Sequence, residues 1–461
     1  MSHRIVVVGG GVTGLTTAYR LRQLLPDAEI ALIESDDRLG GKIRSSTFAG
    51  IAGVDEGPDA FLTRVPHAMN LAGELGLADQ ITSPAIGAAY VWWNRMHSIP
   101  EGLVLGVPTD LAKLARSDLL TWPGKLRAGL EPILPATGVG ADSIGRLIRK
   151  RFGKQVHERL VDPLVGSIYA ADTDLFSLEA VPQLFELAKN NRSLLIGARR
   201  NRRKATPMTG PIFGTPLGGM AALTDALAAS IRASGVTITT GTEVGSIEPS
   251  RGGWLINGEF ADAVVLATPA RASAPLVAGV SADAGAVLAK FEHSSIVMLT
   301  IALPGDAWPS DFRSRSGYLV PKSVQKMVTA TSFASSKWAH WQPTSPDGGV
   351  VLRISLGRDG HDVTDQHDDT LIRAALDEVG HHVGIELQPT ELRLGRWREA
   401  FPQYRPGHSK RVLGLEAALA RDAAGVFLCG ASYRGMGIPA CVQQANSTAQ
   451  LVANYVATVR S

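Results

Sequence analysis

Three glycines in the stretch IVVVGGGVTGLTTAYRL, residues 5–21, are spaced Gly9-x-Gly11-x-x-Gly14, a pattern whose chemistry is the holding of a pyrophosphate. Gly9 permits a tight turn, Gly11 lets a phosphate approach the backbone, and Gly14 lets the next helix pack closely on the strand. Val12 and Thr13 open that helix, so its free N–H groups and partial positive charge face the phosphates. About 20 residues past Gly14 stands Glu34, with Ser35 beside it, where a carboxylate grips a ribose hydroxyl and disfavours a 2′-phosphate. A second glycine turn follows in DDRLGGKIRS, with Arg38, Gly40, Gly41 and Lys42. A nicotinamide dinucleotide has no need of it. A flavin dinucleotide, buried and extended, needs further backbone amides and positive groups beside its phosphates. Redox chemistry on FAD is the expectation.

The elements that must position these groups follow from patterning. Ile5 to Val8 are continuously apolar and β-branched, as in a parallel strand buried on both faces, and a helix over 12–25 ends at Pro26 and Asp27. EIALIES is a second strand, finishing on Glu34. Near the other end, Phe427 to Cys429 form a short strand, and Gly430, Gly435 and Gly437 keep the backbone bare. Pro439 starts a helix whose buried stripe is Val442, Ala445, Ala449, Val452 and Val456. Its amino terminus, at Gly437 and Ile438, suits negative charge on the pyrimidine edge of a reduced flavin.

These signals predict an α/β fold in three parts. A discontinuous Rossmann-like FAD-binding domain takes residues 1–60, 211–272 and 405–461, and a mixed-sheet substrate-binding domain takes 61–87 and 273–404. A mainly helical domain takes 88–210. Strands such as SIVMLTIAL and GVVLRISLG, with one helix near 370–379, make up the mixed sheet.

Bulk properties exclude other classes. At 461 residues the chain holds two or three cores, and 46 basic against 43 acidic residues leave a net charge of +3, no global field for nucleic acid. Two cysteines, Cys429 and Cys441, form no disulfide framework, and no apolar run reaches the roughly 18 residues of a membrane span. MSHRIVVVGGG leaves no room for a signal peptide, so the cytoplasm is expected. Arg199, Arg200, Arg202, Arg203 and Lys204 form a basic cluster readable as a solvated helix end, a carboxylate attractor or a membrane-surface contact. His361 and His367 in GRDGHDVTDQHDD match no zinc spacing, so no metal is expected there. Trp338 and Trp341 read as surface residues.

The glycine turns together with GPDAFLTR, GTEVGSIE and FLCGASYRGMGIPACVQQA resemble the FAD-dependent amine oxidase superfamily. Within it, the order of RMHSIPEGLVLGVPTDL, RFGKQVHERLVDPLVGSIYAAD, TPLGGMAALTDAL and PQYRPGH is most similar to the bacterial porphyrinogen oxidases, specifically the soluble type that forms coproporphyrin III. The resemblance implies Gly57, Pro58 and Asp59 beside the flavin ring, a strand whose Val244 meets the adenine, Thr268 in a turn beneath the flavin, and Gly430 in the closing motif. It implies oxidation of coproporphyrinogen III by three two-electron steps, with molecular oxygen reduced to hydrogen peroxide. The flavin does the chemistry, so no catalytic side chain is assigned. Asp59 is a candidate pyrrole N–H or proton acceptor, with N–H capping its other reading. Arg64, Tyr404 and His408 are candidate substrate-binding residues. A transient contact with the next haem-pathway enzyme is expected. Protoporphyrinogen IX as substrate, another flavin amine oxidase or desaturase, and a non-catalytic porphyrin carrier stay open.

Overall fold

Residues 2–459 are described by the computed structural model, apart from 137, 139, 141, 205–209 and 344–348. Among the described residues, five strands form a parallel sheet in the order Thr237–Thr239, Glu29–Ile33, Arg4–Val8, Ala263–Leu266, Val426–Leu428. Alternation along the central strand explains its continuous hydrophobicity. Ile5 and Val7 face the helices Val12–Leu24, Ala221–Ala233 and Ile438–Val459, burying Leu15, Leu227 and Val452. Val6 and Val8 face the opposite layer, an antiparallel meander running Ile247–Ser250, Gly253–Ile256, Glu259–Ala261 with the helices Ala270–Ala278, Ala282–Leu288 and His408–Asp422.

A second sheet runs Glu391–Pro402, His293–Leu303, Val350–Leu356, Val328–Phe333, Gly317–Leu319, Ala89–Trp92, Met96–Ser98. It is antiparallel except where Gly317–Leu319 pairs with Ala89–Trp92. The helix Asp368–Val383 covers one face through Leu371, Ala375 and Val379. It outruns the expected 370–379 because Asp368 and Asp369 favour its first turn and left-handed Gly384 caps its end.

Several expectations are corrected. The hairpin Ala89–Trp92/Met96–Ser98 belongs to the mixed sheet, not to the helical insertion, since its edge pairing is supplied by Gly317–Leu319. The helices Ala270–Ala278 and Ala282–Leu288 pack with the nucleotide unit, because their apolar faces cover Val264 and Leu266. Val244 lies outside any strand, in an irregular stretch before Ile247–Ser250, though it is buried beside Val8 and Ala31. Trp338 and Trp341 are fully buried, closing the far face of the mixed sheet with Phe48, Val54 and Val351. The basic cluster ends the helix Leu194–Lys204, where Arg202 donates to the Thr109 hydroxyl at 3.1 Å. In GRDGHDVTDQHDD, Asp365 pairs with Arg398 at 2.6 Å and Asp368 with Arg396. Among the described residues no helix is long and apolar enough to cross a membrane.

Candidate functional site

The first strand ends in Gly9, whose φ of +106° and N–H bond to the Ile33 carbonyl at 2.8 Å set the turn. A Cβ on Gly14 would stand 1.8 Å from the Gly9 carbonyl oxygen, so only glycine allows this helix to start here. A Cβ on Gly11 would meet nothing within 4 Å. That direction is open space at a helix amino terminus, the place a pyrophosphate takes. Val12 and Thr13 begin the helix as expected, with Gly11 at its cap.

The second glycine turn lies directly on the first. Gly40 donates to the Gly10 carbonyl at 2.8 Å, and a Cβ on Gly41 would come within 3.2 Å of the Gly11 Cα. Arg38 braces this turn from within, donating to the Gly41 carbonyl at 2.6 Å. Glu34 accepts the Gly10 N–H and the Asp36 N–H at 2.9 Å, with Ser35 donating to it at 3.2 Å, so the carboxylate sits at the rim of the loop. Thr268 lies against Gly9 and shares a 2.7 Å hydrogen bond with Ser273. Gly430, with φ of +128°, passes beside Thr13 and Ala267. The final helix starts at Ile438, with the Cys441 N–H donating to the Gly437 carbonyl at 2.9 Å.

Lys42 leaves the cradle for the mixed sheet. Its ammonium donates to the Ala400 carbonyl, and burial, partly offset by Cys441, lowers its pKa to about 8. Gly57 packs tightly here: a Cβ would lie 2.4 Å from the Lys42 carbonyl oxygen and 3.4 Å from the Trp397 ring. Pro58 beside it is exposed. The Trp397 indole N–H is buried without a hydrogen-bond partner among the described residues. An orphaned donor, an open direction at Gly11 and two stacked glycine turns together fit FAD. When bound, FAD supplies a two-electron acceptor. Gly9, Gly11, Gly40, Gly41 and Gly430 would leave its backbone contacts bare, Glu34 would take a ribose hydroxyl, and Gly437 and Ile438 would turn a helix dipole toward it.

The candidate acid is committed elsewhere. Asp59 accepts from Lys337 at 2.8 Å and from the Trp338 indole at 3.1 Å, with Arg353 at 3.5 Å. Burial alone would raise its pKa, but the Lys337 and Arg353 charges outweigh that and hold the carboxyl far below its ordinary value. The carboxyl is thus held as an anion by side-chain partners, and among the described residues none of its hydrogen bonds comes from a backbone N–H. Lys337, Trp338 and Arg353 escaped sequence reading because nothing in their spacing marks them; they join Asp59 only through the fold.

Tyr404 and His408 are likewise taken. The Tyr404 hydroxyl donates to the Ala431 carbonyl and accepts from the Gly435 N–H at 2.9 Å, and its ring stacks on His408 at 4.1 Å. His408 binds the Tyr433 carbonyl at 2.9 Å, and burial lowers its pKa to about 4, so it is a neutral ring at pH 7. Both thereby brace the segment 431–435. Arg64 is exposed just past the strand Phe61–Leu62. His293, near Lys42 and Ser432, is also held neutral, by burial and by the Lys42 charge, at about 4. It was missed because a lone histidine at a strand start carries no signal.

A family model of flavin containing amine oxidoreductases matches residues 12–453. The chain is 30% identical to the coproporphyrinogen III oxidase of Bacillus subtilis, covering 98% of each chain. It is 33% identical to the coproporphyrinogen III oxidase of Mycobacterium bovis, covering 95% of this chain and 94% of that one. A crystal structure from Exiguobacterium sp. 255-15, provisionally assigned as a protoporphyrinogen oxidase, superposes with a TM-score of 0.87 at 27% identity, covering 98% and 99% of the two chains. With the double glycine cradle and the orphaned Trp397 donor in place, this chain belongs to the flavin containing amine oxidoreductases and is an FAD-dependent oxidoreductase.

Proposed function

We propose that this chain oxidises coproporphyrinogen III to coproporphyrin III in haem biosynthesis, passing three electron pairs to molecular oxygen as three hydrogen peroxides. The observation that carries the reading is similarity, over nearly the whole of both chains, to proteins named coproporphyrinogen III oxidase.

The chemistry asks for position more than for reactive side chains. A meso C–H between pyrroles is an activated hydride donor, and aromatisation drives the reaction. The chain's part is to hold the macrocycle against Gly57 and Pro58 and to keep water out. The ion pair with Lys337 commits Asp59, so the reading rests on positioning of the macrocycle and not on an assigned side-chain base. Arg64 is proposed as a propionate partner at the rim, where its exposure leaves the guanidinium free to reach a carboxylate. The product's release to the next haem-pathway enzyme is proposed to be a transient contact.

Anaerobic addition of coproporphyrinogen III should bleach the yellow holoenzyme, and air should restore the colour with release of peroxide. A much higher kcat/KM for protoporphyrinogen IX would move the substrate assignment. No bleaching with either would leave a porphyrin carrier.

A further inference from the structure

A ten-residue π-helix, His157–Gly166, leads into the turn at Tyr169 and Ala170, and π-helical turns gather at functional sites. Ala170 is left-handed, with φ of +46°, a conformation a residue with a Cβ holds only when its surroundings impose it. They do so here from three directions. The Ala170 carbonyl accepts from the Asp359 N–H at 2.9 Å, the Ser294 hydroxyl at 3.0 Å and the Gln403 amide at 3.5 Å. The same Gln403 amide donates to the Tyr169 carbonyl at 3.2 Å. Behind the turn, Arg358 and Asp162 form a buried pair at 2.9 Å, and Arg358 also donates to the Ala171 carbonyl. A Cβ on Gly166 would come within 2.4 Å of that guanidinium, so the helix end is shaped around it.

What this bracing fixes is the Tyr169 side chain. Its ring stacks on Phe176 at 5.0 Å, and Phe176 lies 6.0 Å from Tyr404, whose hydroxyl bridges Ala431 and Gly435 of the flavin-side segment. Met436 of that segment packs into the same apolar cluster. Tyr169 is half-buried, and among the described residues its hydroxyl has no hydrogen-bond partner. Burial raises its pKa, so it stays a neutral group.

We infer that Tyr169 positions the substrate, its phenol oxygen accepting a hydrogen bond from a pyrrole N–H of the porphyrinogen. The inference rests on the porphyrinogen reading above. A neutral phenol oxygen suits an N–H; a propionate there would meet no opposite charge. Arg358, Gln403 and Ser294 act through the turn and are positioning residues for Tyr169.

The test is Tyr169→Phe in the FAD-loaded enzyme beside wild type. Loss of one neutral hydrogen bond should raise KM for coproporphyrinogen III about three- to tenfold, with kcat within about twofold and flavin content and unfolding midpoint unchanged. The Kd of coproporphyrin III, read by fluorescence quenching, should rise less than KM, because the product has lost inner N–H groups. Tyr169→Leu, which also removes the ring, should raise both further while keeping its flavin. An unchanged KM in Tyr169→Phe overturns the inference, as does a parallel fall in kcat, flavin content and midpoint, which would mark Tyr169 as structural. Wild type that neither binds nor bleaches with a porphyrinogen would instead remove the substrate reading, and this inference with it.

Discussion

Lys337 and Asp59 meet at 2.8 Å, an ion pair that ties the ring-side segment to the mixed sheet. Arg353 reinforces it from the strand Val350–Leu356, lying 3.5 Å from Asp59 and donating to the Gly57 carbonyl. Both side chains of the pair are about four-fifths buried, at 22% and 19% exposure, so removing one charge strands the others. Asp59→Asn should cost about 3–5 kcal/mol of stability, read by thermal or urea unfolding. Its depressed carboxyl contributes stability that is full above the ordinary aspartate pKa of about 4 and fades only as pH falls below that. Accordingly, the variant should keep the wild-type shape of kcat/KM between about pH 5 and 8. A lost ionisation in that window would return Asp59 to the role of base.

Asp55 behaves in the opposite sense. It is fully buried, accepts from the Ser45 hydroxyl and from the Met220 N–H at 2.8 Å, and among the described residues leaves its second oxygen without a partner. Burial raises its pKa to about 7, against 3.8 ordinarily. A raised acid favours folding below the unfolded value and loses that contribution as pH rises through the folded one. Wild type should therefore lose up to about 1.4 kcal/mol per pH unit between about pH 4 and 7 from this group, and Asp55→Asn should flatten that slope. Unfolding midpoints from pH 5 to 8 for both proteins measure it; parallel slopes would sink the assignment.

Two glycines of one loop should respond differently to the same methyl group. Gly14→Ala collides with the Gly9 carbonyl and should lower both stability and FAD content. Gly11→Ala meets no protein atom, so the apoprotein should unfold at the wild-type midpoint while FAD affinity falls tenfold or more, about 1.4 kcal/mol. Equal FAD affinity in Gly11→Ala would place the pyrophosphate elsewhere.

Tyr404→Phe removes a hydroxyl that satisfies both the Ala431 carbonyl and the Gly435 N–H. Leaving two polar groups unpaired should cost about 1–3 kcal/mol and release flavin on dilution, with KM for porphyrinogen little changed. Flavin absorbance of the gel-filtered variant checks this. A rise in KM with full flavin content would restore Tyr404 as a substrate residue.

The nucleotide half of the molecule was legible because its determinants are local. A buried parallel strand must be apolar at every position, and a tight loop must be glycine where the backbone turns or is approached, so the shape of Ile5 to Gly14 and of the turn at Gly40 and Gly41 is written within a few residues of themselves. The roles of polar side chains are settled by partners distant in the chain. Asp59 reads as a candidate pyrrole N–H or proton acceptor, and only the fold sets Lys337 and Arg353 beside it; Tyr404 and His408 read as candidate substrate groups, and only the fold pairs their polar atoms with Ala431, Gly435 and Tyr433. Trp338 and Trp341 read as surface until the mixed sheet folded over them. Backbone geometry and apolar periodicity are written in neighbouring residues; burial, charge pairing and hydrogen-bond satisfaction exist only once the chain has closed on itself, and they decided which of the candidate residues are free to meet a substrate.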